Sequence, residues 1–198
     1  MRDLILKMSM SVDGFVSASD GGNAWMFGTD PVAKAASVQE LRDVGLHIMG
    51  SRTFRDMASW WPTSTDMFAA PMNQIPKAVF SRTGLTPTAA NPQSGEDTAV
   101  QPGGESWTQA YVAGGDLADE IATMKAEDGK PVMAHGGVRF ARSLIAMALV
   151  DQFSLWIAPV VLGQGLPLFS ELAAPMRLIL VRSRTFPGGA VAQTYRRA

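Results

Sequence analysis

The chain has 198 residues, 46% hydrophobic and 18% charged, with a formal net charge of −1 and no cysteine. This is the balance of an ordinary globular protein, and the length predicts one domain over 1–198 with a sizeable core. Lys and Arg are scattered rather than clustered, which argues against a nucleic-acid or membrane partner, and the lack of cysteine removes disulfides, thiolate catalysis and Cys-based zinc sites.

The start, Met-Arg-Asp-Leu-Ile-Leu-Lys-Met-Ser, lacks the apolar core and cleavage site of a signal peptide. No apolar run approaches the ~20 residues of a membrane span, so a cytoplasmic protein is expected. Leu4–Met10 reads as a first strand, broken by Val12-Asp13-Gly14 and resumed at Phe15–Ser17. A Gly/Ser/Asp-rich loop covers Ser19–Gly28. Pro31–Val44 predicts a helix with Asp30 as N-cap, Pro31 in the first turn and Gly45 at its end. Leu46–Met49 predicts a strand, Thr53–Ala58 a short helix and Lys77–Phe80 another strand. Residues 84–106, rich in Pro and Gly and poor in apolar content, read as a surface loop insertion. Trp107–Val112 reads as a further strand. Asp116–Ala126 reads as a helix capped by Asp116, with Leu117, Ile121 and Met124 on one face.

Residues 132–144, Val-Met-Ala-His-Gly-Gly-Val-Arg-Phe-Ala-Arg-Ser-Leu, carry most information. A short apolar run ends in Gly136-Gly137, and a helical pattern follows with Phe140, Leu144 and Ala148 on one face. Strand, two glycines and helix start make an anion site: glycine admits a ligand to the backbone, and the first helical amides point at it. Tight strand–helix packing alone is the competing reading. Gln152–Leu162 predicts a long strand interrupted at Pro159, and Leu178–Phe186 with Ala190–Arg196 a terminal hairpin around Pro187-Gly188-Gly189. Together these predict an α/β fold, a mostly parallel sheet with helices on both faces and an antiparallel edge.

In such sheets ligands sit at the carboxyl ends of strands. Three predicted strand ends offer small residues, hydroxyls and an arginine: Gly50-Ser51-Arg52-Thr53, Ser81-Arg82-Thr83 and Gly136-Gly137-Val138-Arg139. Arginine binds phosphate through paired hydrogen bonds. Arg52 and Arg82 with Ser81 suit a 2′-phosphate and so NADPH over NADH, although each arginine alone also reads as a solvated surface charge. Gly-x-Gly-x-x-Gly is absent, so this is no Rossmann dinucleotide site. The two histidines, His47 and His135, are distant in sequence; each is expected to be a strand residue with a local partner, and no metal site is expected.

The chain resembles the dihydrofolate-reductase-like superfamily, and most of all the reductase domain of the riboflavin-pathway deaminase–reductase in its stand-alone form. The matching segments run in family order over nearly the whole chain: 8–16 (MSMSVDGFV), 48–54 (IMGSRTF), 76–83 (PKAVFSRT), 132–140 and 159–169 (PVVLGQGLPLF). The last segment separates the riboflavin-type branch from true dihydrofolate reductases. The resemblance implies a three-layer α/β/α fold, NADPH as cofactor and a homodimer. It implies that Gly50 to Thr53 and Ser81 to Thr83 hold the adenosine ribose and 2′-phosphate. Gly136, Gly137, Val138, Arg139 and Phe140 would cradle the pyrophosphate, and the backbone near Ser9 and Val16 the nicotinamide carboxamide. No deaminase motif is present, so the implied step is reductive only: hydride transfer to a small heterocyclic acceptor, similar to the 5-amino-6-(5-phosphoribosylamino)uracil reductase step.

In dihydrofolate reductases a substrate-binding acid follows a tryptophan by five residues, and Trp25 and Asp30 have that spacing. Asp30 is therefore the candidate for substrate orientation or proton supply, with a raised pKa if its cleft is apolar. It also reads as a routine helix cap. Asp13 is a second catalytic candidate and equally a turn residue. Trp25 and Trp60 are candidate substrate contacts; of the pair Trp60-Trp61, with Phe68 nearby, one is expected in the core. A true dihydrofolate reductase and a non-catalytic NADPH-binding protein are the alternatives. Gly163-Gln-Gly165-Leu-Pro, and Ser51 where that family usually has arginine, count against the first.

Overall fold

The computed structural model describes residues 1–26, 28, 30–87, 99–170 and 172–198. Its strands and helices are β1 (Leu4–Met10), β2 (Phe15–Ala18), α1 (Pro31–Arg42), β3 (Leu46–Gly50), α2 (Ser51–Ala58), α3 (Ala69–Gln74), β4 (Lys77–Phe80), β5 (Tyr111–Ala113), α4 (Leu117–Ala126), β6 (Val132–Ala134), α5 (Val138–Ala146), β7 (Gln152–Ile157), β8 (Gly165–Pro167), β9 (Leu178–Thr185) and β10 (Val191–Arg197). Eight strands form one sheet in the order β5-β4-β3-β6-β1-β7-β10-β9, and β2 pairs with β8 in a separate ribbon. The first six strands of that order run parallel, while β10 runs antiparallel to β7 and β9. This is the mostly parallel α/β sheet with an antiparallel C-terminal hairpin that the sequence predicts.

Two-residue alternation divides β1 between two layers. Leu4, Leu6, Met8 and Met10 belong to the core that holds Ile121 and Met124 of α4 and Ala141, Leu144 and Ile145 of α5. Ile5 belongs to the opposite core, with Leu41 of α1, Phe54 and Ala58 of α2 and Met72 of α3. Helices therefore cover both faces. Burying each such side chain contributes roughly 1.5–3 kcal/mol, and Leu4, Leu6, Ile48, Met49 and Leu144 are wholly inaccessible.

Several boundaries differ from the sequence reading. Phe15–Ala18 does not resume the first strand in the main sheet; it turns away to pair with Gly165–Pro167. Residues 107–112 are not one strand: Trp107 ends a 3-10 turn and only Tyr111–Ala113 joins the sheet. Trp107 is fully buried against Phe54, with its indole N–H on Asn73 Oδ1 at 2.8 Å, so this end of the 84–106 stretch packs into the core. Residues 88–98 of that stretch lie outside the described residues. Ala148 lies beyond α5 at φ 57°, and the buried stripe is Ala141, Leu144 and Ile145. β7 ends at Ile157, two residues before Pro159 removes a ladder donor. The helix α3 and the strand β8 are short elements with no periodic signal.

Candidate functional site

β6 is three residues long and lies between the longer β1 and β3. Its pairing with β1 stops at Leu6↔Ala134, whereas β1 continues to Met10 against β7. The backbone of Met8–Met10 therefore borders a notch on the β6 side. On the other side the ladder runs two bonds further: His135 N–H donates to Ile48 O at 3.0 Å and Gly50 N–H to Gly136 O at 3.1 Å. From this notch α2 leaves after β3 toward one face, and α5 leaves after β6 toward the other. Connections that depart to opposite faces from adjacent carboxyl ends define the crevice where doubly wound sheets bind ligands.

Both helices begin on glycine. Gly50 caps α2 and Gly137 caps α5, neither with a side-chain cap, so the first amides of each helix receive no capping side chain and carry the positive end of the helix dipole. A Cβ on Gly137 stands 3.0 Å from Thr53 Oγ1, and one on Gly50 stands 3.2 Å from Phe140 Cβ. The two N-termini are thus in contact, and side chains there fill the space between them. Gly136 has φ +90°, a conformation that favours glycine, and the Gly136–Gly137 peptide is cis.

The predicted phosphate-binding types gather at this edge. Ser51, Arg52 and Thr53 form the first turn of α2, and Val138, Arg139 and Phe140 the first turn of α5. Phe140 packs on Phe80 at 4.8 Å, which joins the ends of β4 and β6 across β3. Ser81 is buried at the end of β4, its hydroxyl donating to Gly84 O at 3.0 Å. Arg52, Arg82 and Thr83 are exposed beside it. Ser9 is half-buried in β1 in register with Trp156 of β7, and Val16 is buried in β2.

The acidic candidates occupy structural positions. Asp30 Oδ1 accepts from Val32 N at 2.8 Å and Ala33 N at 3.2 Å, while Oδ2 accepts from Gly188 N at 2.7 Å in the β9–β10 turn. Its pKa lies below the ordinary carboxylate value, chiefly through the Gly188 amide. This corrects the expectation of a raised pKa: partial burial opposes the anion, but the amides of Gly188, Ala33 and Val32 outweigh it. Asp30 therefore caps α1 and clasps the hairpin. Asp13 is lowered by the Ser11 hydroxyl and by the amides of Gly163 at 2.7 Å and Leu162 at 3.2 Å; it ties the β1–β2 turn to the 159–169 segment. Trp60 is 63% exposed, whereas Trp61 packs against Phe68 at 6.5 Å. Trp25 is half-buried, and its Nε1 is a buried donor with no partner among the described residues.

The sequence reading missed the polar row beneath the notch. His47 of β3 and His135, just past β6, are not independent: His135 Nε2 lies 2.8 Å from His47 Nδ1, and His47 Nε2 lies 3.3 Å from Pro71 O. Parallel pairing of β3 with β6 brings together residues 88 apart, and no local pattern signals this. Burial pushes His135 down to about 3 and His47 well below the usual histidine value. Lys77, buried over the Trp107 ring at 4.8 Å, is pushed down to about 7 by the same cause. Lys7 pairs with Glu40 of α1 and sits 4.4 Å over Trp156, whose indole N–H also donates to Glu40 at 2.9 Å.

Two clefts of about 380 and 340 Å³ open at the other end of the sheet, by Leu46 and Tyr111 at the amino ends of β3 and β5. None of the residues that form the notch line them. Among the described residues no group of three or more His, Asp or Glu is placed to hold a metal, and no helix is long and apolar enough to cross a membrane.

A notch at the carboxyl end of a short central strand, two glycine-capped helices meeting over it and a terminal antiparallel pair define a dihydrofolate-reductase-like α/β protein. Within that class the chain belongs to the RibD C-terminal domain family, whose model matches residues 2–192. It is 27% identical to the uncharacterized protein YyaP of Bacillus subtilis (strain 168), over 98% of this chain and 94% of that one. Its fold is shared with a putative riboflavin biosynthesis protein from Shewanella sp. PV-4, with a TM-score of 0.70 and 22% identity over 99% of both chains. It is also shared with a diaminohydroxyphosphoribosylaminopyrimidine deaminase/5-amino-6-(5-phosphoribosylamino)uracil reductase from Thermotoga maritima, with a TM-score of 0.64 and 14% identity. There the alignment covers all of this chain and 57% of the other.

Proposed function

We propose that this chain is an NADPH-dependent reductase that delivers a hydride to a small heterocyclic acceptor, similar to the 5-amino-6-(5-phosphoribosylamino)uracil reductase step. The observation that carries the reading is the meeting of the α2 and α5 N-termini across Gly50 and Gly137, a cradle that a Cβ fills. Amides at paired helix starts suit a pyrophosphate. Arg52 and Arg82, exposed at the ends of neighbouring parallel strands, supply charge for a 2′-phosphate. The backbone of Met8–Met10 faces the notch where the pairing with β6 stops, which suits a planar carboxamide. When bound, the cofactor supplies the hydride. The chain supplies position: Val138 to Phe140 hold the phosphates, and the β1 edge orients the ring.

Asp30, with its carboxylate held ionised by three amides, serves as a clasp, so the proton that completes the reduction comes from solvent. Trp25, whose Nε1 has no partner among the described residues, is the candidate contact for the acceptor. The edge strand β9 exposes Ile179, Leu180 and Val181 at 52–55%; exposed apolar edges are paired or covered in native proteins, and a cytoplasmic homodimer formed through this edge is part of the proposal. A panel of pyrimidine, pterin and small carbonyl acceptors, followed by loss of NADPH absorbance, tests the activity. Consumption with a pyrimidine acceptor supports the reading. NADPH binding without reduction of any of them favours a non-catalytic binding protein.

A further inference from the structure

We propose that the His135–His47 hydrogen bond is the positioning device of the phosphate cradle, holding the Gly136–Gly137 turn at a set offset from the N-terminus of α2. The inference rests on the proposed nucleotide reading for its ligand, but its geometry stands apart from it. Past Ala134 the chain has left β1, and among the described residues two backbone bonds, to Ile48 O and from Gly50 N–H, hold it to β3. Two consecutive glycines follow, with the widest backbone freedom of any residue type. Those two backbone bonds tie the turn to the β3 edge, and its two glycines bring no side chain of their own to fix it there. The His135 side chain adds a tether in another direction, down into the layer beneath the sheet, where His47 is wholly buried.

The rest of the chain of contacts fixes its chemistry. Pro71 O can only accept, so His47 Nε2 carries a proton. In a neutral ring His47 Nδ1 is then an acceptor, and His135 Nε2 must donate to it across 2.8 Å. The rings meet edge to face, with centroids 4.6 Å apart and planes at 67°. The chain Pro71–His47–His135 thus anchors the turn to α3, inside the core. Lys7 of β1 and Lys77 of β4 face the pair, and both oppose its protonation. Glu40 of α1 is engaged by Lys7 and Trp156. The pair is therefore a neutral tether, and the positive field of the cradle comes from the helix amides and arginines alone. An apolar residue at 135 would leave His47 Nδ1 buried without a donor.

Two measurements test this. Nitrogen–proton correlation spectra of the wild-type imidazoles near pH ~7.5 should show both rings as neutral Nε2–H tautomers; an Nδ1–H tautomer or an imidazolium at either ring overturns the proposal. The second compares His135→Leu with His135→Gln, whose amide N–H takes the place of Nε2. In His135→Leu, exchange of the Gly50 amide should quicken and the NADPH Kd should rise, each by about tenfold or more, with both restored to within about threefold in His135→Gln. A merely structural histidine lowers the melting temperature of His135→Leu while Gly50 exchange and Kd stay at wild-type values, and that result overturns the proposal. If His135→Leu does not fold, His135→Asn, too short to reach His47, takes its place with the same two expected losses. A wild type that binds no NADPH refutes the nucleotide reading alone, and Gly50 exchange then decides the positioning role.

Discussion

Gly137 separates stability from ligand binding better than any other position in the cradle. Its φ of −66° and ψ of −177° are open to every residue, so a side chain there is not disfavoured by φ or ψ. The new Cβ meets only the Thr53 hydroxyl, at 3.0 Å, so that side chain must give by a few tenths of an ångström. Gly137→Ala and Gly137→Val should therefore unfold within about 1 kcal/mol of wild type. The ligand is affected far more. A side chain between the two helix N-termini displaces a phosphate from at least one amide, and each charge-assisted hydrogen bond lost is worth about 1.5–3 kcal/mol. NADPH affinity should fall by ten- to a hundredfold for alanine and further for valine, on the scale of about 1.4 kcal/mol per decade. Gly136→Ala provides the contrast. Its φ of +90° forces an L-residue into a strained region at a cost of about 1–2 kcal/mol, so it should lose stability as well as affinity. Calorimetric titration beside thermal melting reads both quantities. Gly137→Val with NADPH affinity within about threefold of wild type refutes the cradle.

Asp30→Asn keeps an oxygen for Val32 and Ala33 but sets its amide against the Gly188 N–H; turnover should stay within about threefold of wild type, since asparagine caps nearly as well. A fall of two or more orders of magnitude, the usual scale of acid–base help, would restore Asp30 to the chemistry. Stability should decline in acid: His135 has a folded pKa of about 3 against an ordinary 6.5, so the unfolded chain binds the extra proton. Stability present above pH 6.5 is therefore lost as the pH falls toward 3; urea midpoints that do not change across that window contradict it. Lys77 acts in the same direction in the basic range, its folded pKa of about 7 lying below the ordinary 10.5, so stability should keep rising between those values. Sedimentation should show a dimer that Leu180→Lys, a charge on the exposed β9 edge, dissociates; a monomer at micromolar concentration refutes pairing through this edge.

The layout of the sheet was readable because its parallel strands carry apolar runs and its helices carry caps. Lys77–Phe80 and the Asp116-capped helix match the structure to the residue. What escaped the sequence depended on distance along the chain. The 3-10 turn at Trp107 and the ribbon of β2 with β8 are set by tertiary packing, and the local pattern there fits several conformations. Of the candidate site, Gly136-Gly137 was legible because glycine pairs mark a close approach, and Asp30 because a cap has a local signature. The third partner of Asp30, Gly188, lies 158 residues away, and the two histidines are 88 apart. Such contacts arise only after the sheet closes, so neither the lowered pKa of Asp30 nor the imidazole pair left a trace in the sequence.

The central claim is that the notch at the end of β6 binds NADPH and distinguishes it from NADH. Calorimetric titration of the wild-type protein with each cofactor, repeated on Arg82→Ala, tests it most directly. NADPH should bind about tenfold or more tightly than NADH, because an arginine–phosphate contact is charge-assisted. Arg82→Ala should weaken NADPH and leave NADH nearly unchanged. Equal affinities for the two cofactors, or no binding of either, would contradict the account.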